Sequence, residues 1–205
     1  MLAETETRPD NSALQLKLNG VHHSARPTWK LKETVEFYRD VLDLDLCHAI
    51  CARGWGPEDH PDFIHFFFDS GQGSTIAFFY YLNTEKPADS VEPGSYVYNS
   101  VHTAWRVETR EELVAWKDKL EGKGFEIMQV LHETIESIYV VDPNGYSVEI
   151  AWQTRDLTAH DSTDADLTLK AAIAIEDEAK RRVTSVEEIW QRKAVLVDDF
   201  IARGD

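Results

Sequence analysis

A histidine followed at a fixed distance by an amphipathic segment occurs twice in this chain. His23, in GVHHSA, lies 14 residues before Phe37 in VEFYRDVL, and His102, in SVHTAW, lies 14 residues before Trp116 in LVAWKDKL. Each histidine sits in a short strand-like segment, and each helix-like segment has apolar residues spaced for one helical face. The repeat predicts two copies of one β–α unit, which share a hydrophobic core.

The segments that follow each predicted helix are also similar. After LKETVEFYRDVLDL, which places Leu31, Val35, Tyr38 and Leu42 on one helical face, come LDLCHAICA, DFIHFFFD and STIAFFYYL. After REELVAWKDKLEGKG come FEIMQVL, SIYVVD and YSVEIAW. Runs of β-branched and aromatic residues between glycine- and asparagine-containing turns are typical of strands. We therefore predict an α+β fold with two βαβββ modules.

The composition along the chain suggests five segments. We predict a disordered N-terminus at 1–14, a first module at 15–84, a linker at 85–98, a second module at 99–155 and a helical C-terminal extension at 156–205. The extension is rich in helix-forming residues. Its second half has a partly apolar stripe of Val186, Ile189, Trp190, Lys193, Val197 and Phe200. We expect this extension to pack on the core or on a second subunit of a homodimer.

The charge of the chain limits its partners. A formal net charge of −16 disfavours nucleic acid, which needs Lys and Arg to displace counterions, and disfavours anionic membrane surfaces. No apolar run is long enough to cross a bilayer. The N-terminal residues have neither the basic region nor the apolar stretch of a signal peptide. With only Cys47 and Cys51, both expected to be reduced thiols, the sequence predicts a cytoplasmic protein.

Two histidines and one carboxylate form a candidate metal site. The second copy ends in VVDPNGYSVEIAW, which places Glu149 on a strand between Val148 and Ile150. A carboxylate that faces a protein interior must be paired or bound to a metal. His23, His102 and Glu149 would leave coordination positions open for substrate. The alternative is that both histidines are ordinary polar residues of half-buried strands.

The two copies differ at their last strands. FDSGQGSTIAFF resembles VDPNGYSVEIAW with one extra residue in the first, and in that alignment Ala77 stands where the second copy has Glu149. The 14-residue interval selects His23 rather than its neighbour His22, because alternate strand residues face opposite sides. The same alignment predicts that the side chain of His65 faces outward.

The HH-x-x-R start, the EFYRDVL helix and the DPNGYSVEI ending resemble the vicinal oxygen chelate superfamily, which includes glyoxalases, bleomycin resistance proteins and extradiol dioxygenases. The resemblance covers about residues 16–155. It implies two βαβββ modules that form a metal-binding cleft. The chain is most similar to a small two-module type I extradiol dioxygenase.

Further details carry the resemblance to extradiol enzymes. Glyoxalase I has a second ligand glutamate where this chain has Ala77, whereas extradiol dioxygenases have a tyrosine ten residues before the ligand glutamate, as Tyr139 is before Glu149. The EIAW string is similar to the glutamate-x-Gly-Trp ending of that group. The family's acid/base histidine is absent, since its place is taken by Ser74 or Gly73. We expect His132 to replace it, with His65, His60 and His48 as alternatives.

The resemblance implies an iron(II) enzyme that opens a catechol-like aromatic ring with dioxygen, for use in aromatic compound catabolism. The metal ligands would be His23, His102 and Glu149, with Tyr139 and His132 as catalytic residues. The same ligand set also accepts manganese, zinc, nickel and cobalt. Two alternatives share the fold: a metal-dependent lyase, isomerase or epimerase, and a non-enzymatic small-molecule-binding resistance protein.

Overall fold

A computed structural model of the chain describes residues 20–54, 60–88 and 99–203. The predicted disordered N-terminus lies outside the described residues, as does part of the predicted linker at 85–98. The boundaries of the five segments remain predictions.

The first copy forms a four-stranded mixed sheet with a short helix. Its elements are β1 (His23–Thr28), α1 (Leu31–Glu36) with a π-helical turn at Phe37–Val41, β2 (Leu46–Ala52), β3 (Phe63–Gly71) and β4 (Ser74–Tyr81). The strand order is β1-β4-β3-β2. β1 is parallel to β4, while β3 is antiparallel to both β4 and β2. The crossover between β1 and its parallel neighbour includes the helix, as the repeat predicts.

The second copy has the same order of elements. They are β5 (His102–Val107), α2 (Arg110–Gly122), β6 (Met128–Leu131), β7 (Ile135–Val141) and β8 (Ser147–Gln153). This sheet has the order β5-β8-β7-β6, which is the order of the first sheet with each strand number raised by four. The predicted α+β fold with two βαβββ modules is thus confirmed.

The predicted C-terminal extension is helical. It consists of α3 (Ala159–Ala179) and α4 (Val186–Arg203). An ion pair between Lys193 Nζ and Asp164 Oδ1 at 2.5 Å joins the two helices, and Arg192 pairs with Glu178. The predicted apolar stripe of α4 is only partly covered, because Trp190 is 63% exposed.

The chain divides into two compact units. One contains Met1–Trp105, Lys117–Ile127 and Tyr139–Glu149, and the other contains Arg106–Trp116, Met128–Ile138 and Ile150–Asp205. The helical extension thus belongs to the second unit. No helix in the described part of the chain is both long and apolar enough to cross a membrane.

The core of the first unit is aromatic. Tyr38 is fully buried, and its ring lies 5.8 Å from that of Phe68 and 4.7 Å from that of Phe78. Alternation along β3 and β4 sends Phe66, Phe68 and Phe78 to this helix-covered face. The opposite face of the sheet therefore carries His23, Ala25, His65, Phe67 and Phe79.

The position of His65 corrects the sequence alignment. His65 is only 4% exposed, and its ring lies 6.5 Å from that of His23, so the prediction that it faces outward is wrong. In the first hairpin Phe67 lies opposite Ala77, and Asp69 lies opposite Thr75. In the second, the N–H of Asp142 donates to the carbonyl of Tyr146. SGQG at 70–73 therefore matches DPNG at 142–145 without an insertion, and His65 corresponds to Ser137.

The DPNG turn of the second module is hydrogen-bonded to the first module through side chains. The hydroxyl of Thr28 donates to Oδ1 of Asn144 at 2.7 Å, and Nδ2 of Asn144 donates to the hydroxyl of Thr34 at 3.0 Å. Oδ1 of Asp142 accepts from the backbone N–H groups of Asn144 and Tyr146, which closes the turn. Burial raises the pKa of the Asp142 carboxyl, although these hydrogen bonds oppose the shift. The turn thereby fixes the start of β8 against β1 and α1.

Candidate metal centre

Glu149 is a buried carboxylate in the middle of a strand. Its side chain is 4% exposed, and its neighbours in the chain, Val148 and Ile150, are also buried. Because alternate residues of β8 face opposite sides, Glu149 lies on the face opposite to Val148 and Ile150. An ionised carboxylate at this depth requires hydrogen-bond donors or a cation.

His102, the first residue of β5, lies against this carboxylate. Its Nε2 is 3.0 Å from Oε2 of Glu149, and its side chain is 36% exposed. The other ring nitrogen, Nδ1, is 3.0 Å from the carbonyl oxygen of Asn99. Since a carbonyl can only accept, Nδ1 carries the proton. Nε2 therefore either donates to Glu149 from an imidazolium or presents a lone pair toward it.

Tyr139 binds the other oxygen of the same carboxylate. Its hydroxyl donates to Oε1 of Glu149 at 3.0 Å, and its ring is nearly perpendicular to that of His102 at a centroid distance of 6.3 Å. Tyr139 and Glu149 lie opposite each other in the hairpin register. The ten-residue spacing between Tyr139 and Glu149 in the sequence is therefore the number of residues that the chain needs to pass through the turn and return to the same level.

His23 lies in a different cluster of the same compact unit. Its Nδ1 is 2.8 Å from Nδ1 of His22, and its ring contacts those of His65 and Phe67. The described ranges contain no group of three or more His, Cys, Asp or Glu side chains close enough together to hold a metal ion. The structure thus brings together His102, Glu149 and Tyr139, and it does not place His23 with them.

The donor chemistry of the pair still suits a divalent metal. Metal-binding histidines commonly donate their second ring N–H to a backbone carbonyl, which leaves the other nitrogen free to coordinate. His102 has this arrangement through Asn99, and Glu149 supplies a carboxylate oxygen beside it. A cation between them would relieve the repulsion of two facing lone pairs. Two of the three predicted donors therefore fit, and His23 would have to move toward them to complete the set.

The predicted replacement for the acid/base histidine belongs to the second compact unit. His132 follows β6 and is exposed, and its backbone N–H donates to the carbonyl of Ile135 at 2.8 Å. Its role remains a prediction. Ser74 and Gly73 lie at the tip of the first hairpin, where Gly73 has a φ of +78°.

Sequence reasoning missed two features of this region. The carbonyl of Asn99 orients His102, but a backbone acceptor has no signature in the residue type. His65 lies beside His23 on one face of the first sheet, and burial lowers the pKa of its imidazole. Alignment of SGQG with DPNG without a gap would have revealed that orientation.

Comparisons with known proteins agree with the fold. Residues 20–150 match the model of the family described as the Glyoxalase/Bleomycin resistance protein/Dioxygenase superfamily. A solved structure of a candidate dioxygenase from Bacillus subtilis has a TM-score of 0.50 and 22% identity, over 65% of this chain and 40% of that protein.

Two further solved structures are similar at lower scores. Lactoylglutathione lyase from Agrobacterium tumefaciens has a TM-score of 0.48 and 19% identity, over 66% of this chain and 94% of that one. A fosfomycin resistance protein from Listeria monocytogenes has a TM-score of 0.47 and 16% identity, over 71% of this chain and 98% of that one.

No curated protein matches the sequence. The family match covers well over half of the chain, and the two observed sheets have the module topology that the resemblance implies. The chain belongs to the glyoxalase/bleomycin resistance protein/dioxygenase superfamily.

Proposed function

We propose that this protein is a metal-dependent enzyme that opens the ring of a catechol-like aromatic with dioxygen. The observation that carries the proposal is the buried cluster in which Glu149 is bound by His102 on one oxygen and by Tyr139 on the other. Iron(II) would be held by His102, Glu149 and His23. When bound, it would supply Lewis acidity toward the catechol oxygens and electrons toward dioxygen.

The side chains of this chain have three tasks in such a reaction. The carbonyl of Asn99 holds the His102 ring with Nε2 toward the metal position. The Tyr139 hydroxyl fixes the Glu149 carboxylate, and on rotation away from it would donate to a substrate oxygen as negative charge develops there. His132 would accept the proton of a catechol hydroxyl.

The first hairpin favours this reaction over that of a four-ligand glyoxalase. Ala77, fully buried, lies opposite Phe67 just as Glu149 lies opposite Tyr139. The first module therefore offers a methyl group and a phenyl ring where the second offers a carboxylate and a phenol. A site with three protein ligands leaves more coordination positions for a chelating substrate and dioxygen.

Two other functions use the same fold. A metal-dependent lyase, isomerase or epimerase would use the same three ligands, and the His102–Glu149 pair is equally suited to it. A non-enzymatic small-molecule-binding resistance protein is favoured by one observation, the position of His23 beside His22 and His65 rather than with the pair.

One experiment separates these functions. The protein is purified without oxygen and reconstituted with iron(II), its metal content is measured, and oxygen uptake is followed with a panel of catechols. The proposal predicts about one metal ion per chain and oxygen consumption that His102→Ala abolishes. Bound metal without oxygen uptake would favour the lyase or isomerase. Failure to bind any of iron, manganese, zinc, nickel or cobalt would refute both enzyme functions.

A further inference from the structure

A pocket of about 630 Å³ lies on the face of the first sheet that carries His65 and Phe79, where β1 meets β4. Its walls include four aromatic side chains, those of Trp29, His60, Phe79 and Tyr81. The volume is within the range of small-molecule sites, which are mostly apolar with a few polar groups. None of the three residues in the His102–Glu149–Tyr139 cluster lines it.

Two of the pocket rings, those of Phe79 and Tyr81, are parallel, while the ring of His60 is steeply inclined to that of Tyr81. His65 stacks on Phe79 with ring centroids 3.6 Å apart and an interplanar angle of 8°, and Tyr81 is also within 8° of the plane of Phe79. His65 lies opposite Phe79 on β3 and covers one side of its ring. Another flat ring could extend this stack on the other side.

The strand on that other side carries small residues. In the parallel pairing of β1 with β4, Pro27 lies beside Phe79 and Ala25 lies beside Ala77. Both Ala25 and Pro27 are exposed and line the pocket. The row of rings thus stops at Phe79, and the pocket occupies the place where the next ring would stand. Trp29, held by a hydrogen bond from Nε1 to the Thr84 hydroxyl at 3.2 Å, also lines it.

The charges around the pocket favour a cation. Glu85 is exposed, supplies the one carboxylate of the lining residues, and forms no ion pair with any residue in the described part of the chain. Arg26 also contributes to the lining, but it is only 8% exposed. Its guanidinium contacts the Thr103 hydroxyl and lies over the Tyr146 ring, on the opposite face of β1 from Ala25 and Pro27.

We propose that this pocket binds a planar aromatic ligand that carries a positively charged group. The ring system stacks beside Phe79 over Ala25 and Pro27, and the positive charge lies toward Glu85 and the aromatic faces. Aromatic faces attract cations as well as rings, so both parts of the ligand gain from the same walls. The site does not depend on the metal chemistry proposed for His102 and Glu149.

Two tricyclic probes of similar shape and opposite charge test the proposal. Proflavine is a planar aromatic cation, and 9-anthracenecarboxylate is a planar aromatic anion. Binding of each to the whole protein is measured by calorimetry at about 150 mM salt, where charges on distant parts of the surface are screened. We expect proflavine to bind at least about tenfold more tightly than the anion, a difference of about 1.4 kcal/mol.

Three variants locate the bound probe. Ala25→Leu places a larger side chain where the ligand ring would stack, and it should weaken proflavine binding at least about tenfold because the two groups cannot occupy the same space. Glu85→Gln should weaken proflavine but not the anion. Glu33→Gln removes an exposed carboxylate from α1 and should leave both affinities unchanged.

The His102→Ala variant separates this proposal from the proposed enzymatic function. It should lose metal while it keeps the wild-type affinity for proflavine. Circular dichroism checks that each variant is folded. Equal affinity for the two probes, or unchanged proflavine binding in a folded Ala25→Leu variant, would overturn the proposal.

Discussion

The hydroxyl of Tyr139 donates a hydrogen bond of 3.0 Å to Oε1 of Glu149, on the strand directly across the hairpin. The other carboxylate oxygen faces Nε2 of His102. The orientation of the carboxylate is thus set from two sides, which is what a metal ligand requires of its surroundings.

Replacement of Tyr139 by phenylalanine should weaken metal binding. The change removes the hydroxyl that fixes Glu149 and keeps the ring beside His102, so we expect a loss of about 10- to 100-fold in affinity, as for other outer-shell partners of metal ligands. Metal titration of the apoprotein measures it. Tyr80→Phe, which removes a hydroxyl from β4 of the first module, is the control and should bind metal as the wild type does. Equal affinity of Tyr139→Phe and the wild type would contradict this role.

Adjacent histidines should differ in their effect on the metal. His23→Ala removes a proposed ligand and should lower the affinity by more than about 100-fold, because an outer-shell partner alone accounts for about 10- to 100-fold. His22→Ala removes only the partner of Nδ1 of His23 and should cost less. Cobalt(II) absorption spectra of both variants report the number of ligands. If His22→Ala were the more damaging change, the assignment of His23 would be wrong.

Asn144→Ala should destabilise the protein by about 1–3 kcal/mol. The asparagine bridges the hydroxyls of Thr28 and Thr34, and its loss removes both of these hydrogen bonds, at about 0.5–1.5 kcal/mol for each, while the two hydroxyls stay bonded to each other. Urea unfolding measures the change. Gln72→Ala is the matched control, since Gln72 has the corresponding position in the first hairpin, is exposed and has a φ of +53°. Similar free energies of unfolding for Asn144→Ala and Gln72→Ala would contradict this role of Asn144.

The start of α3 should lose stability in acid. Asp161 accepts hydrogen bonds from Arg155 and from the backbone N–H of Thr158, and these interactions, with that of Arg155 first, lower the pKa of its carboxyl. A lowered pKa means that the stabilisation is present above the ordinary pKa of aspartate and is lost as the pH falls toward the lowered value.

The variant Asp161→Asn tests this dependence. It should have a lower melting temperature than the wild type at pH 7, and the difference should shrink below about pH 4, where free aspartate takes up its proton. Asp177→Asn, near the other end of the same helix, should show no loss. A difference between Asp161→Asn and the wild type that stayed constant with pH would exclude an electrostatic contribution.

Periodicity and repetition predicted the fold well because both are local properties of the sequence. Each strand of the two modules and both C-terminal helices occur near their predicted positions. The alignment of the hairpins failed at one residue, and in a strand such an error moves a side chain to the other face. This is why His65 was expected outside and lies buried beside His23.

The sequence predicted those contacts of the site that form within one module. The pairing of Tyr139 with Glu149 follows from one hairpin, so their spacing in the sequence was informative. His102 and Glu149 are joined through the topology of the second sheet, which the repeat also predicted. The position of His23 relative to them depends on side-chain rotation and on how the first sheet lies beside β5, and no pattern in the sequence encodes either.

The bonds of Asn144 bear on the origin of the repeat. Thr28 and Thr34 belong to the first copy of the unit, while the asparagine that bridges them belongs to the second. In a lone ancestral copy, such an asparagine could make these two hydrogen bonds only with a sister chain, each turn docking on the other molecule. After gene fusion, the turn of the second copy would dock on the first copy within one chain. The turn of the first copy would then no longer be under selection to dock. Gln72, which has the position of Asn144 in the first copy and is exposed to solvent, is consistent with this loss of selection.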